Sequence, residues 1–436
     1  MHLRVACAVA VSFIASVCTT RGMMVEMEHP SILVAVKNET TIEEFILLDP
    51  MFGESGVCVV EDALDADGDG LFGIFVVMCM GDPNRAVEHL RGCTHFVESA
   101  EVDGYVDGVG LDAGNLSEPL VPPYPWSSSM FPPWGQTFVK DKHEWCGDGV
   151  TYFSFDTGVH DTPWEFEDRV MPGETFCGAG PYSCVDGDDL HGHGTRTSSI
   201  AAGAWFGRAT MATVVPVKVL GDTGRGSVSG LIRGIDWVLA NFGNYPYEHV
   251  VVGMSLSAGP SNALRKSMLR LVKGRGNHPG WIKKNGPRRR KNGFVRPFVV
   301  VSAGNRSGGD SCDSFYAGIP GVISVGALDN PADRDGELYV AGYSCTGRCV
   351  DIFAPGSNIP GADPTGGEDG VKERSGTSSA QPHVAGAVAC IAGSEEWRFL
   401  ARNEIIRRLL NRWALHGAIT GGFMLSGTPN VVLQMP

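Results

Sequence analysis

GTSSAQPHVAG, residues 376–386, is the stretch that decides the reading of this chain. Ser378 stands among small residues, with Gly376 and Thr377 leaving an open approach to its hydroxyl. From Val384 to Ala392 the chain is small and apolar on every side, which predicts a buried helix running to about Gly393. A serine at the mouth of such a helix faces unpaired N–H groups and a positive dipole end, both suited to a developing oxyanion. Taken alone, Gly-Thr-Ser before a helix reads as an ordinary cap.

Two further motifs change that. HGHGTRTSSIAAG (191–203) sets His193 between glycines before a second small-residue helix. FSFDTGVH (153–160) ends an apolar strand on Asp156 and turns at Thr157-Gly158. In the chain order Asp, His, Ser, the three resemble the subtilisin superfamily of serine proteases. VVVSAGN (299–305) fits too, a buried strand leading to Asn305, where the resemblance places an oxyanion-binding amide.

The likeness continues through VVPVKVLGDTGRGSVSGLIRGIDWV (214–238), MSLSAG (254–259), PGVISVGALD (320–329), CVDIFAPGSNI (349–359) and TPNVVLQ (428–434). It runs from about Pro133 to the C-terminus and is nearest to the proteinase K-like branch. It implies an α/β fold, a three-layer domain with a mainly parallel sheet, over 133–436. It also implies a serine endopeptidase that forms an acyl-enzyme. Asp156 would orient His193, His193 would take the proton of Ser378, and Asn305 with the Ser378 N–H would hold the oxyanion. Substrate would add as a strand along Gly224–Ser227 and Ser255–Gly259, with Gly224, Ser255, Leu256 and Ser257 as contacts. No cofactor is implied for the chemistry. Structural calcium is implied on Asp351 and the carbonyls of Pro320 and Val322, although Asp351 reads equally as a strand-end acid without a metal.

Two departures stand out: Arg196-Thr197-Ser198 after HGT, which puts the charge of Arg196 near the catalytic helix, and Ser379-Ala380-Gln381 after the nucleophile. An alternative reading follows, in which the protein cleaves only its own propeptide and then acts as a binding protein.

The N-terminal third reads separately. Residues 1–22 carry Arg4 and an apolar run, Val5–Val17, too short to span a membrane. They predict a signal peptide and a secreted protein without a membrane anchor after cleavage. Residues 31–106 read as strand, helix, strand, strand, helix, strand, a ferredoxin-like α+β order. That order resembles the inhibitory propeptide of subtilisins, so 23–107 is expected to be a propeptide and a partner of the mature domain. Its last strand is expected over Thr94–Val106. The proline-rich spacer 108–132 is expected to hold the processing site. Asp65–Gly70 imitates the start of a calcium loop, but strands flank it, so it reads as a turn.

Twelve cysteines suit an exported protein, and the seven from Cys146 onward leave at least one outside an internal pair. The resemblance implies a Cys312–Cys349 bridge; Cys177 and Cys184 flank a Gly-Pro turn and suit a local pair. Cys390, inside the apolar helix, is expected to pack as a small hydrophobe. The net charge of −14 conceals twelve Lys or Arg and no acid within 265–296. There Ser261–Val272 predicts a helix, and Lys273–Arg296 an inserted basic loop. With few aromatics beside that charge, partners are expected to be proteins or peptides rather than nucleic acid.

Overall fold

The computed structural model describes residues 31–36, 58–64, 73–79, 82–93 and 97–108 of the N-terminal region. Beyond it, residues 134–435 are described apart from 140–145, most of 178–186, 275–295 and a few shorter gaps. The signal segment, the first expected propeptide helix, the Asp65–Gly70 turn, the spacer beyond Gly108 and residues 275–295 of the basic loop lie outside the described residues.

Four N-terminal strands, β1 (Ile32–Val36), β2 (Cys58–Leu64), β3 (Ile74–Cys79) and β4 (Val97–Val102), form an antiparallel sheet in the order β2-β3-β1-β4. Helix α1 (Pro83–Gly92) begins at Asp82, whose side chain accepts from the Asn84 N–H. It buries Ala86, Val87 and Leu90 against that sheet. The expected last strand is interrupted. It stops at Val102, and a separate strand, β5 (Tyr105–Gly108), departs to pair elsewhere. The break lies where Asp103 turns to bond another helix, described below.

The larger unit is built on a nine-stranded sheet. Its centre runs, in spatial order, β13 (Val322–Leu328), β12 (Phe298–Ser302), β10 (His249–Met254), β6 (Val150–Asp156), β8 (Thr213–Lys218) and β7 (Glu174–Thr175), all parallel. Ile352–Pro355 and Val431–Val432 continue it in parallel beyond β13, and Leu415–His416 closes that edge antiparallel. Strands buried on both faces need near-continuous apolar sequence, which VVVGM in β10 and FVVVS in β12 supply.

Alternate residues serve opposite faces. Val250, Val252 and Met254 pack with Leu231, Ile232 and Ile235 of α3 (Val228–Asn241) and with Leu264 and Met268 of α4 (Asn262–Lys273). Val251, Val300 and Val325 pack with Ala201 of α2 (His193–Ala202) and with Val384 and Val388 of α5 (Thr377–Gly393). Helices therefore cover both faces, giving the expected three layers. Helix α4 matches the helix expected over Ser261–Val272.

From β6 the chain moves outward to β8, then returns to β10 on the other side. The order reverses between β6 and β10, and in open α/β sheets the crevice at the strand ends of such a point is where ligands bind. Asp156 ends β6, and Ser255 follows the last residue of β10.

Four disulfides brace the chain: Cys58–Cys79, Cys146–Cys390, Cys177–Cys184 and Cys312–Cys349. The second corrects the expectation for Cys390. The end of α5 abuts the turn before β6, so closely that a Cβ on Gly393 would lie 2.7 Å from the Asp148 carbonyl oxygen. This brings Cys390 to Cys146 across 244 residues. Cys345, fully buried, is the odd thiol of the larger unit. Among the described residues, no helix is long and apolar enough to cross a membrane.

Candidate active site

Asp156 arrives at the site because β6 ends there and the chain turns at Thr157 and Gly158. Its carboxylate is nearly wholly buried. Oδ1 lies 2.6 Å from His193 Nδ1 and accepts from the Thr157 N–H at 2.8 Å. Oδ2 accepts from the Thr197 hydroxyl at 3.1 Å. Burial pushes this carboxyl upward, but the imidazole beside it and these donors outweigh burial and hold it below the usual carboxylate range.

His193 is the first residue of α2, entered through Gly192 at φ 84°. A side chain there would be strained, and its Cβ would meet an Asp363 carboxylate oxygen at 2.8 Å. The turn is organised by Asp189, which the sequence reading did not single out. Its Oδ1 accepts from the Thr157 hydroxyl at 2.7 Å and from the Gly192 N–H at 2.8 Å. Its Oδ2 accepts from the Thr195 N–H at 2.8 Å and the Thr195 hydroxyl at 2.7 Å. The far ring nitrogen of His193, Nε2, is buried with no hydrogen-bond partner among the described residues.

Ser378 is the second residue of α5, nearly buried. Helices α2 and α5 pack against each other. Their contact is so close that a Cβ on Gly386 would stand 2.4 Å from the Ala201 carbonyl oxygen. The Asn305 amide oxygen accepts from the Thr377 N–H at 2.9 Å and the Thr377 hydroxyl at 2.8 Å. This orientation ties Asn305 to the start of α5 through its oxygen and leaves the amide NH2 as its donor end.

Gln381, one of the departures noted above, has a structural task. Its amide donates to the Val300 carbonyl at 3.1 Å and accepts from the Ser255 hydroxyl at 2.8 Å. Ser255 Oγ is also 3.1 Å from the Ser378 carbonyl oxygen, so its side chain steadies α5. Arg196 is buried in α2, with Nη1 3.6 Å from Asp363 Oδ2.

The remaining expected contacts meet around β5. Strand β5 lies between β11 (Leu256–Ala258) and β9 (Arg225–Ser227), antiparallel to both. Leu256 pairs with Gly108 and Ser257 with Asp107, while the Gly108 N–H donates to the Gly224 carbonyl at 2.9 Å. A Cβ on Gly108 would lie 3.7 Å from His193 Nδ1. The neighbouring His191 ring is centred 6.2 Å from that of His193, and burial followed by the influence of His193 holds it below the usual histidine range.

Just before β5, two carboxylates meet helix starts. Glu101 accepts from the Ser261 hydroxyl and from the N–H groups of Asn262 (3.0 Å) and Ala263 (3.2 Å), opening α4. Asp103 accepts from the Ser229 N–H (3.0 Å) and hydroxyl (2.6 Å), opening α3. Anions at helix N-termini are favourable.

Asp351 precedes Ile352–Pro355. Its Oδ2 accepts from the Ser324 N–H at 2.8 Å, and burial pushes its carboxyl up to about 6. Among the described residues, no group of three His, Cys, Asp or Glu side chains could hold a metal ion. A calcium site here would therefore rest on this carboxylate, backbone carbonyls and water, a donor set that suits a hard cation. The carbonyl between Pro320 and Val322, that of Gly321, is taken by the Arg402 guanidinium.

The family model for the subtilase family matches residues 155–427. Among curated proteins, the chain is 36% identical over 251 residues to subtilisin-like protease 1 of Arthroderma gypseum, covering 57% of this chain and 45% of that protein. It is 35% identical over 269 residues to subtilisin-like protease 1 of Trichophyton equinum, covering 60% of this chain and 45% of that one. The aligned part thus spans less than half the length of these relatives. Among solved structures, a cold adapted subtilisin-like serine proteinase superposes with a TM-score of 0.53 at 30% identity, over 70% of this chain and 98% of that one. With well over half of its length matched by the family model, and with the resemblance seen in its motifs, the chain belongs to the subtilase family.

Proposed function

We propose that this protein is a secreted serine endopeptidase, made as a zymogen that cuts itself. Ser378 Oγ attacks the scissile carbonyl while His193 Nε2 takes its proton, and Asp156 fixes the ring tautomer through Nδ1 and stabilises the imidazolium. The Ser378 N–H and the Asn305 amide bind the oxyanion. The acyl-enzyme is then hydrolysed by water that His193 deprotonates. Side chains and backbone alone supply this chemistry.

The observation that carries the reading is β5: the chain's own strand fills the groove between β9 and β11, with Gly108 against the imidazole of the buried Asp156–His193 pair. This is how a propeptide that inhibits by strand addition would sit. Four disulfides and the apolar run Val5–Val17 support an exported protein. Calcium on Asp351 would neutralise a buried carboxylate and brace β13 against Ile352–Pro355. Asp351→Asn would then abolish any rise in melting temperature on adding calcium.

A fluorophosphonate probe and casein test the activity. The self-processed protein is expected to be labelled on Ser378 and to turn casein over. Labelling without turnover of any added protein would favour the alternative of a self-cleaving binding protein. No labelling would refute the nucleophile assignment.

A further inference from the structure

We infer that Arg225, on β9, is a specificity-determining residue that selects an acidic side chain at the third substrate residue before the cleaved bond. The inference rests on the endopeptidase reading and takes β5 as the chain's own example of a bound substrate.

The position of the reacting carbonyl follows from register. Gly108, the last residue of β5, pairs with Leu256, and the next residue of that edge is Ser255, whose hydroxyl bonds the Ser378 carbonyl. The ring of His193 gives the same answer. A Cβ at Gly108 would lie 3.7 Å from Nδ1, the nitrogen turned to Asp156, so the Gly108 place is beside the imidazole and not yet at the nucleophile. An extended chain advances about 3.3 Å per residue, so the residue after the Gly108 place presents its carbonyl to Ser378. In self-processing that is the Val109–Gly110 bond. The places of Gly108 and Asp107 are then second and third before the cut.

Asp107 pairs directly with Arg225 across β5 and β9, with Nε 3.3 Å from Oδ1. It is the only charged residue of β5: Tyr105 is exposed, Val106 is buried with Leu220, Val228 and Leu256, and Gly108 has no side chain. Ser257, the partner of Asp107 on the other edge, brings no charge. Among the substrate places that β5 fills, selection by charge therefore falls on the one opposite Arg225. Arg225 and Asp107 are 68% and 57% exposed, so the preference is modest and salt-sensitive. Exposed pairs give roughly 0.2–1 kcal/mol, a discrimination of about 1.4- to fivefold.

The test uses the self-processed protein and quenched peptides containing Tyr-Val-Asp-Gly-Val-Gly, with Asp replaced in turn by Asn and by Lys. The kcat/KM ratio of the Asp to the Lys peptide is measured for wild type, Arg225→Glu and Arg225→Gln. Wild type is expected to favour Asp about 1.4- to fivefold at low salt. Arg225→Glu should invert the ratio, and Arg225→Gln should bring it near one. At about 1 M salt, where the screening length is roughly 3 Å, the wild-type preference should fade. Because each ratio is internal to one enzyme, a loss of folded protein does not move it. A ratio unchanged by both substitutions overturns the inference, as does mass spectrometry placing the peptide cut other than after the second Val. Failure to cleave either casein or the peptides would instead count against the endopeptidase reading.

Discussion

Helices α2 and α5 are both rich in small residues and almost entirely buried, and each carries a proposed catalytic residue in its first turn, yet those turns are held by groups of different charge. Asp189 places a carboxylate over the start of α2, taking the Gly192 and Thr195 N–H groups. Asn305 places a neutral amide over the start of α5, taking the Thr377 N–H. A carboxylate neutralises the positive end of a helix, which suits a helix that only has to aim an imidazole. A neutral acceptor leaves that field in place where an oxyanion must form. The contrast separates a helix start that positions from one that reacts.

Substitutions can break this comparison at each end. The largest effect short of removing the nucleophile is expected from Asp156→Asn, which keeps the shape but favours the wrong imidazole tautomer. A fall in kcat of about 10⁴ is anticipated in steady-state assays of the processed enzyme. Asn305→Ala should lower kcat by about 10²–10³ with little change in KM, because the amide bonds charge that develops only in the transition state. Asp189→Asn should act mainly on folding. An amide cannot accept at both of its heavy atoms, so some of the Thr157, Gly192 and Thr195 donors lose their acceptor. Thermal or denaturant melting should show a loss of about 1–3 kcal/mol, larger in proportion than the loss of kcat. If Asn305→Ala instead cost stability and spared kcat, the two helix starts would have the same task.

A pH titration gives the smallest and most specific signature. Asp156 is held below the usual carboxylate range, so it binds a proton less readily folded than unfolded. Its contribution to stability is present above its unfolded value, about pH 4, and drains away as pH falls through the lower folded value. The stability gap between wild type and Asp156→Asn should therefore hold at neutral pH and close only in strong acid.

Much of the site was legible because its chemistry needs particular residue types beside glycines. Asp156 ends a strand, Asn305 follows one by three residues, and His193 and Ser378 stand in the first turns of small-residue helices, all features that the sequence shows. Asp189 was hidden because its value comes from a turn that brings Thr157 and Thr195 to one carboxylate, 32 and 6 residues away. The pairing of Cys390 is hidden for a similar reason: its neighbours in sequence are apolar, and its partner, Cys146, stands just before β6. The last N-terminal strand read as continuous, because nothing local signals that Asp103 leaves the sheet to open α3. Ser255 is expected from the sequence only as a substrate contact; the bond of its side chain to the Ser378 carbonyl is a second task that its neighbours in sequence do not signal.

The central claim is that one triad carries out both self-processing and the cleavage of other proteins. Intact-mass analysis of purified wild type and Ser378→Ala, prepared with no other protease present, tests it most directly. The account predicts wild type separated into an N-terminal fragment and a mature chain, and Ser378→Ala as a single uncut zymogen. Normal processing of Ser378→Ala would contradict it.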